Sequence, residues 1–465
     1  MKKKVVFIII YLLICVAPFA TLWLNVNDTS SSEKRELAAF PQVTKEGRPN
    51  TAFFTEFDAW FSDHMGGRSL LIEAQTAMKE YVFAESAESS IILGRNNWLF
   101  YEKTTDDYCH VRTLSARNTE NVAYTLRMLQ DYCAELGAEF VFTVAPNKNT
   151  LYADNMPARF VKIDGPGNLD ALTEALGRYG VNFADIKKAF QEDPRVLYHP
   201  RDSHWTYEGA FLGYRTIMGA LKPREGVLTD MTYTERMDWD SDLMNMLYPN
   251  APDDDRQVYP NITYTFETKS ADIFDEALVI ETYGGPGEGT VLMFRDSFGN
   301  TSWRYFAQTF EKAEFQRAVP YRMSSVDRLG ADAVILEIVE RNLINLAEKA
   351  PMMAAPAVEL DILDAYDMSA GENLVESEKV TGFYHVYGYV DRCHLGDTYR
   401  AYIITENEGK KTFYEAFPIY EKELLGAERT DDNGFSAYIP EEEEGHVIGV
   451  LIETAGQFYV KKENK

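Results

Sequence analysis

Apolar residues recur at helical spacing over 118–136 (Val122, Leu126, Leu129, Tyr132, Leu136), and Gly137 follows as a C-cap. The next stretch, 138–146 (AEFVFTVAP), is a short apolar run without alternation. That is the pattern of a strand covered on both faces, and Pro146 ends it. Two similar runs follow, Thr290–Phe294 (TVLMF) and 332–338 (DAVILEI), the second behind Gly330. Apolar strands separated by helical stretches over 51–350 predict an α/β layered domain with a mostly parallel sheet. Beyond Pro351 and Pro356 the pattern changes to short alternating runs rich in Tyr, Val, Ile and Thr, such as TGFYHVYGYV, TYRAYIITE and HVIGVLIET. Turn signals at 406–409 (ENEG) and 432–434 (DNG) separate them, so 358–465 reads as a β-sandwich accessory domain.

The front of the chain has a different pattern. Residues 5–24 carry no charge and follow Lys2, Lys3 and Lys4. A helix of that length spans a hydrocarbon core, and the lysines orient it with the N-terminus in the cytoplasm. Residues 1–26 are therefore expected to be a transmembrane signal-anchor, with 27–50 a polar juxtamembrane linker containing Ser30, Ser31, Ser32, Pro41 and Pro49. A cleaved signal peptide is the competing reading. Either one places the rest of the chain outside the cell membrane, and the anchor makes it single-pass.

Composition narrows the partners. The 465 residues carry 73 acids against 46 bases, a formal charge of −27. Duplex nucleic acid needs a basic footprint, which this chain lacks beyond its first lysines. Four cysteines do not make a disulfide scaffold, although a Cys109–Cys133 bridge is compatible with an oxidising compartment.

Two segments carry chemistry. The first is Arg201-Asp202-Ser203-His204-Trp205, on the loop entering a helix that Thr206 caps. An aspartate two residues from a histidine can orient the imidazole and stabilise its protonated form. Alone, Asp-x-His is also the pattern of a hydrogen-bonded structural histidine. The second is Arg295-Asp296-Ser297-Phe298-Gly299-Asn300, where the 290–294 strand turns towards a helix. A serine there is exposed at the carboxyl end of a strand, beside backbone N–H groups suited to an oxyanion. Asp296 and Ser297 could equally be plain helix caps. Together the segments supply a nucleophile (Ser297), a base (His204) and an orienting carboxylate (Asp202). No cofactor or metal is needed for that chemistry.

Further residues are candidates for substrate binding. Lys148 and Tyr152 follow a strand end, where α/β sites gather. Arg295 and Arg341 flank the ends of two other strands, and Trp205 and Trp303 offer aromatic faces to sugars. Packing and buried ion pairs are the alternatives for these. Asp63-His64, ahead of Arg68, is read as a structural contact.

The Asp-Ser-His-Trp motif followed by a helix, and the later Phe-Arg-Asp-Ser-Phe-Gly, resemble the SGNH-hydrolase-like polysaccharide O-acetyltransferases of the alginate-acetylation type and the related DHHW family. FSDHMGGRSLLI (61–72), GRNNWLFY (94–101), APNKNTLY (145–152) and ILEIVERNL (335–343) fit the same pattern, so the resemblance spans most of 51–350. The common Gly-Asp-Ser turn stands here as Arg295-Asp296-Ser297. The resemblance implies an SGNH-hydrolase-like three-layer domain in which Ser297 carries the acyl group, His204 is base and acid, and Asp202 orients it. It also implies acetyl transfer to a cell-envelope or secreted polysaccharide, with a membrane acyltransferase supplying the acetyl group. A carbohydrate acetyl esterase with the same residues and a non-catalytic glycan-binding surface protein are the rival expectations.

Overall fold

Ser115 starts the first long helix by accepting a hydrogen bond from Asn118 N, and the helix α1 (Ala116–Glu135) ends before Gly137, whose φ of +79° turns the chain back. The computed structural model describes residues 4–462 except 10, 13–15, 17–28, 31–34, 46, 65–67, 84, 250, 271–273, 363, 369–371 and 427–430. The expected anchor lies largely outside these residues. Among the described residues no helix is long and apolar enough to cross a membrane.

A seven-stranded sheet organises the chain from α1 to residue 350. Its strands are β1 (Glu139–Ala145), β2 (Phe183–Ala184), β3 (Glu267–Thr268), β4 (Val279–Tyr283), β5 (Thr290–Phe294), β6 (Lys312–Gln316) and β7 (Ala333–Val339), in the order β3-β4-β6-β5-β7-β1-β2. Phe140, Phe142, Val144, Leu292, Phe294, Val334 and Leu336 pack on one face, against α1 and α2 (Asn168–Tyr179). Val141, Ala145, Val291, Met293, Ala333 and Ile335 pack on the other, against α3 (Ile186–Glu192), α4 (Tyr207–Ala220) and α5 (Trp303–Thr309). Adjacent residues of one strand thus serve opposite layers, which is why these segments are apolar throughout.

The sheet is mixed, which corrects the expectation of a mostly parallel one at its edge. β2, β1, β7, β5 and β6 run parallel, but β4 is antiparallel to β6 and β3 to β4. The connection from β4 to β5 spans only 284–289, too short for the crossover that parallel strands require. Before that edge, the chain inserts an antiparallel hairpin, Tyr233–Trp239 with Asp255–Pro260.

Residues 357–462 are β-rich. A six-stranded and a three-stranded sheet share a core that includes Val386, Phe435 and Ala437 from one and Ile403, Val450 and Ile452 from the other. Phe417, Ile419 and Tyr438 join the core beneath α1, so this region docks on the α/β layers. An ion pair from Arg117 to Asp432 at 2.8 Å and a hydrogen bond from Tyr124 to Glu415 seal the contact. Cys109, Cys133 and Cys393 are free thiols, so the Cys109–Cys133 bridge is not formed.

Candidate active site

The carboxyl ends of β5, β7 and β1 lie side by side, and each continues into a segment of the site. After β5, Asp296 holds the turn together. Its N–H donates to Glu337 (3.0 Å), and its carboxylate accepts from Phe298 N (2.9 Å) and Val339 N (2.6 Å). That lashing leaves Ser297 at the mouth of a short 3-10 turn, Phe298–Thr301. Among the described residues, the backbone N–H groups of Ser297 and Gly299 donate to no protein acceptor. Arg295, in the place of the common glycine, is buried and folds under the turn. Its guanidinium donates to Asn300 Oδ1 (2.5 Å) and to the carbonyls of Asp275 (2.8 Å) and Ala277 (3.2 Å). Gly299 makes room for it, because a Cβ there would meet the Arg295 side chain at 2.7 Å.

The loop before α4 is pinched by the Tyr198–Trp205 bridge and by Thr206 N donating to Leu197 O (2.8 Å). Within it, Asp202 Oδ1 accepts from the His204 backbone (2.8 Å) and lies 2.9 Å from Nδ1. The carboxylate can only accept, so Nδ1 carries the proton and Nε2 presents its lone pair. Ser297 Oγ lies 2.9 Å from that Nε2. The structure therefore joins Asp202, His204 and Ser297 in one hydrogen-bonded chain, across 93 residues between the last two.

Electrostatics suit the arrangement. Burial disfavours the Asp202 carboxylate, but its hydrogen bond and attraction to His204 hold it well below the usual carboxylate range. Burial also works against the His204 imidazolium. The Asp202 hydrogen bond and charge and the Asp242 charge outweigh it and raise the imidazole. The His204 side chain is 24% exposed, so part of the ring is open to solvent.

The remaining sequence candidates separate. Lys148 is buried, and its ammonium donates to the carbonyls of His199 (3.1 Å), Pro200 (3.0 Å) and Asp202 (2.6 Å). All three protons are used, so Lys148 clamps the loop instead of meeting a substrate. Tyr152 Oη accepts from Leu197 N (2.8 Å) and braces the same loop. Trp205 is buried, with its Nε1 on Thr301 Oγ1 (2.7 Å) and Phe298 O (3.1 Å), and Trp303 donates from within the core to Asp275 (2.9 Å). The faces of Trp205 and Trp303 pack against protein, as the Arg295 guanidinium does, so these three are buried in the frame of the site. Arg341 differs. It is half-buried over the rings of Tyr101 (5.6 Å) and Phe298 (5.8 Å), and among the described residues it forms no ion pair. Asp63 accepts from Ala38 N (2.8 Å), 25 positions earlier, and His64 Nδ1 bonds the Trp60 carbonyl one turn back (2.9 Å).

Sequence reasoning missed the inserted hairpin, whose residues back the loop. Trp239 donates from Nε1 to Asp202 Oδ2 (3.2 Å) and stacks on His199 at 4.8 Å. Arg201 pairs with Asp254 (2.5 Å) and Asp255, and Gln257 donates to His199 Nε2 (3.0 Å). The run Asp238-Trp239-Asp240-Ser241-Asp242 was the available signal, a dense set of acids around a tryptophan. One ligand atom each from Asp202, His204 and Asp242 lies within 4.8 Å of the others, close enough to surround a cation. Protons already fill those contacts, since Nδ1–H faces Asp202 and Ser203 Oγ–H faces Asp242 (2.5 Å).

Residues 91–281 match the family described as SGNH hydrolase-like domain, acetyltransferase AlgX. The chain is also similar in structure to Bacillus cereus PatB1 with a sulfonyl adduct, at 16% identity, 53% of this chain, 93% of that one and a TM-score of 0.42. The O-acetyltransferase domain of Pseudomonas putida AlgJ gives 17% identity, 55% and 92% coverage and a TM-score of 0.34. A DHHW family protein from Eubacterium siraeum gives 12%, 54%, 94% and 0.38. No curated protein matches the chain.

Proposed function

We propose that the chain is a serine-dependent O-acetyltransferase that modifies a cell-envelope or secreted polysaccharide. The observation that carries this reading is the 2.9 Å approach of Ser297 Oγ to His204 Nε2, with Asp202 on the far side of the ring. Nε2 takes the serine proton as Oγ attacks the carbonyl carbon of an acetyl donor. The backbone N–H groups of Ser297 and Gly299, which have no acceptor among the described residues, are the donors for the oxyanion. The imidazolium then protonates the leaving group, giving acetyl-Ser297 and neutral His204. In the second half His204 takes the proton of an acceptor hydroxyl, the new ester forms, and Ser297 Oγ is released with its proton restored. Arg341, over the Phe298 ring and without an ion pair among the described residues, is the candidate for a substrate contact.

The apolar 5–24 run behind three lysines supports membrane anchoring, with the domain working outside the cell and the acetyl group supplied by a membrane acyltransferase. Hydrolysis is the second reading. The exposed part of His204 leaves water a route to an acetyl-serine, and the same residues would then make an esterase.

The test is brief exposure of residues 27–465 to an activated acetyl ester, followed by intact-mass and peptide mass spectrometry. An acetyl adduct on Ser297, absent in Ser297→Ala and His204→Ala, is expected. Adding oligosaccharide acceptors then separates transfer from hydrolysis. Adduct formation undiminished in Ser297→Ala would overturn the reading.

A further inference from the structure

The imidazole of His204 has a second carboxylate beside it. Asp242 Oδ2 lies 3.6 Å from Nδ1, on the same side of the ring as Asp202. Three contacts tie Asp242 to the catalytic loop. Its N–H donates to Asp202 Oδ2 (3.0 Å), while its side chain accepts from Ser203 N (2.8 Å) and Ser203 Oγ (2.5 Å). The Ser203 hydroxyl is itself 3.2 Å from His204 Nδ1. Asp242 is in turn held from behind. Its Oδ1 accepts from Leu243 N (2.6 Å), and the neighbouring Ser241 hydroxyl donates to Asp255, the acid that pairs with Arg201. The carboxylate is thus fixed and aimed at an imidazole already served by one aspartate, at a position outside the Asp-x-His motif, and burial and the Asp202 charge raise it from the ordinary carboxylate range.

We infer that Asp242 is a positioning residue of this site, a second carboxylate that seats Asp202 and Ser203 and adds its charge to the imidazolium formed when Ser297 loses its proton. The inference rests on the acyl-transfer reading above. No atom of Asp242 reaches the reacting carbonyl, and its action runs through the ring. During attack the proton moves from Ser297 Oγ to Nε2, and the positive charge spreads to Nδ1, where both carboxylates face it. The charged groups that act on His204 are Asp202 and Asp242, which favour the imidazolium, and Arg341, which opposes it, while burial lowers the neighbouring His199 to about 4 and keeps it neutral. Removing the Asp242 charge shifts this balance towards the neutral ring.

The experiment is the pH profile of kcat/KM for an activated acetyl ester, on the full-length chain in detergent, in Asp242→Asn, Asp242→Glu and Ser203→Ala. The amide retains an acceptor for Ser203 without the charge. His204 must be neutral to act as base, so a lower imidazole pKa moves the acid limb to lower pH. A shift of roughly one unit is expected for Asp242→Asn, as for removal of an opposite charge near 4 Å, together with a fall in kcat of about tenfold. Asp242→Glu and Ser203→Ala keep the charge, and their acid limbs stay within a few tenths of a unit of the parent. An Asp242→Asn limb that does not move, or one that moves equally in Ser203→Ala, overturns the inference. If the asparagine variant does not fold by circular dichroism, Asp242→Ser takes its place under the same criteria. Loss of turnover in Ser297→Ala with an unmoved Asp242→Asn limb would sink this inference alone. Undiminished turnover in Ser297→Ala would sink the acyl-transfer reading first.

Discussion

Replacing Lys148 by methionine distinguishes a loop clamp from a substrate ligand. The side chains are similar in length, so the change removes the ammonium with little change in volume. The carbonyls of His199, Pro200 and Asp202 lose the ammonium's hydrogen bonds, and Pro200 O keeps one from Leu99 N. Hydrogen bonds from a charged donor contribute about 1.5–3 kcal/mol each. Their sum is reduced by the cost of burying the ammonium, which burial brings down to about 7 despite the nearby Asp202, Asp242 and Asp255. The ring of Trp98, 5.6 Å from Nζ, and that of Phe100, at 5.2 Å, add a smaller attraction that is also lost. The expected net loss is about 3–5 kcal/mol, the usual result of breaking a buried charged cluster. A displacement of the loop by about 1 Å would then cost kcat about a hundredfold, because His204 and Ser297 no longer meet in line. Urea denaturation followed by tryptophan fluorescence measures the first effect, and acetyl-ester turnover the second. A variant with unchanged denaturation midpoint and kcat but raised KM would refute the clamp and return Lys148 to the substrate.

Two other perturbations test the frame of the site. Glu340, beneath Asn147 and Thr150, is pushed up to about 8 by burial and by the neighbouring Asp107. A carboxyl that keeps its proton when folded but releases it near 4.5 when unfolded makes stability fall as pH rises between those values, by at most about 1.4 kcal/mol per unit. Glu340→Gln is therefore expected to flatten the decline in urea midpoint between pH 5 and 8, and an unchanged slope would refute the assignment. Gly299→Ala places a methyl 2.7 Å from Arg295 Cβ and Cδ, so a loss of about 1–3 kcal/mol and a slower acylation step are expected. Wild-type acylation and stability would show that the turn has slack.

Much of the scaffold was legible because its signals are local. The helix over 116–135 and the strands at 139–145, 290–294 and 333–339 follow from spacing within a few residues of each other. Thr206 starts α4 as its side chain predicts, accepting from Gly209 N. Ser297 stands at a strand end and Asp202 and His204 on one loop, so their residue types and positions were readable without coordinates. The antiparallel β3–β4 edge was not, since β3 is two polar residues and β4 five residues of mixed polarity, partly exposed.

The chain's own order of residues determined which groups could do chemistry, and the fold decided what each one faces. Trp239 reaches Asp202 across 37 positions, Asp242 reaches Ser203 across 39, and Lys148 reaches Asp202 across 54. No periodicity encodes such pairings, because they arise only when the inserted hairpin and the segment after β1 fold onto the same loop. The same holds for Trp205 and Arg295, whose side chains suit either a sugar cleft or a core. Apolar contact and backbone acceptors drew both inward, where Trp205 Nε1 meets a hydroxyl and a carbonyl and the two Nη atoms of Arg295 meet carbonyl oxygens. A side chain's chemistry is written in its residue type. Its use is set by the solvent, charges and acceptors that tertiary packing places around it.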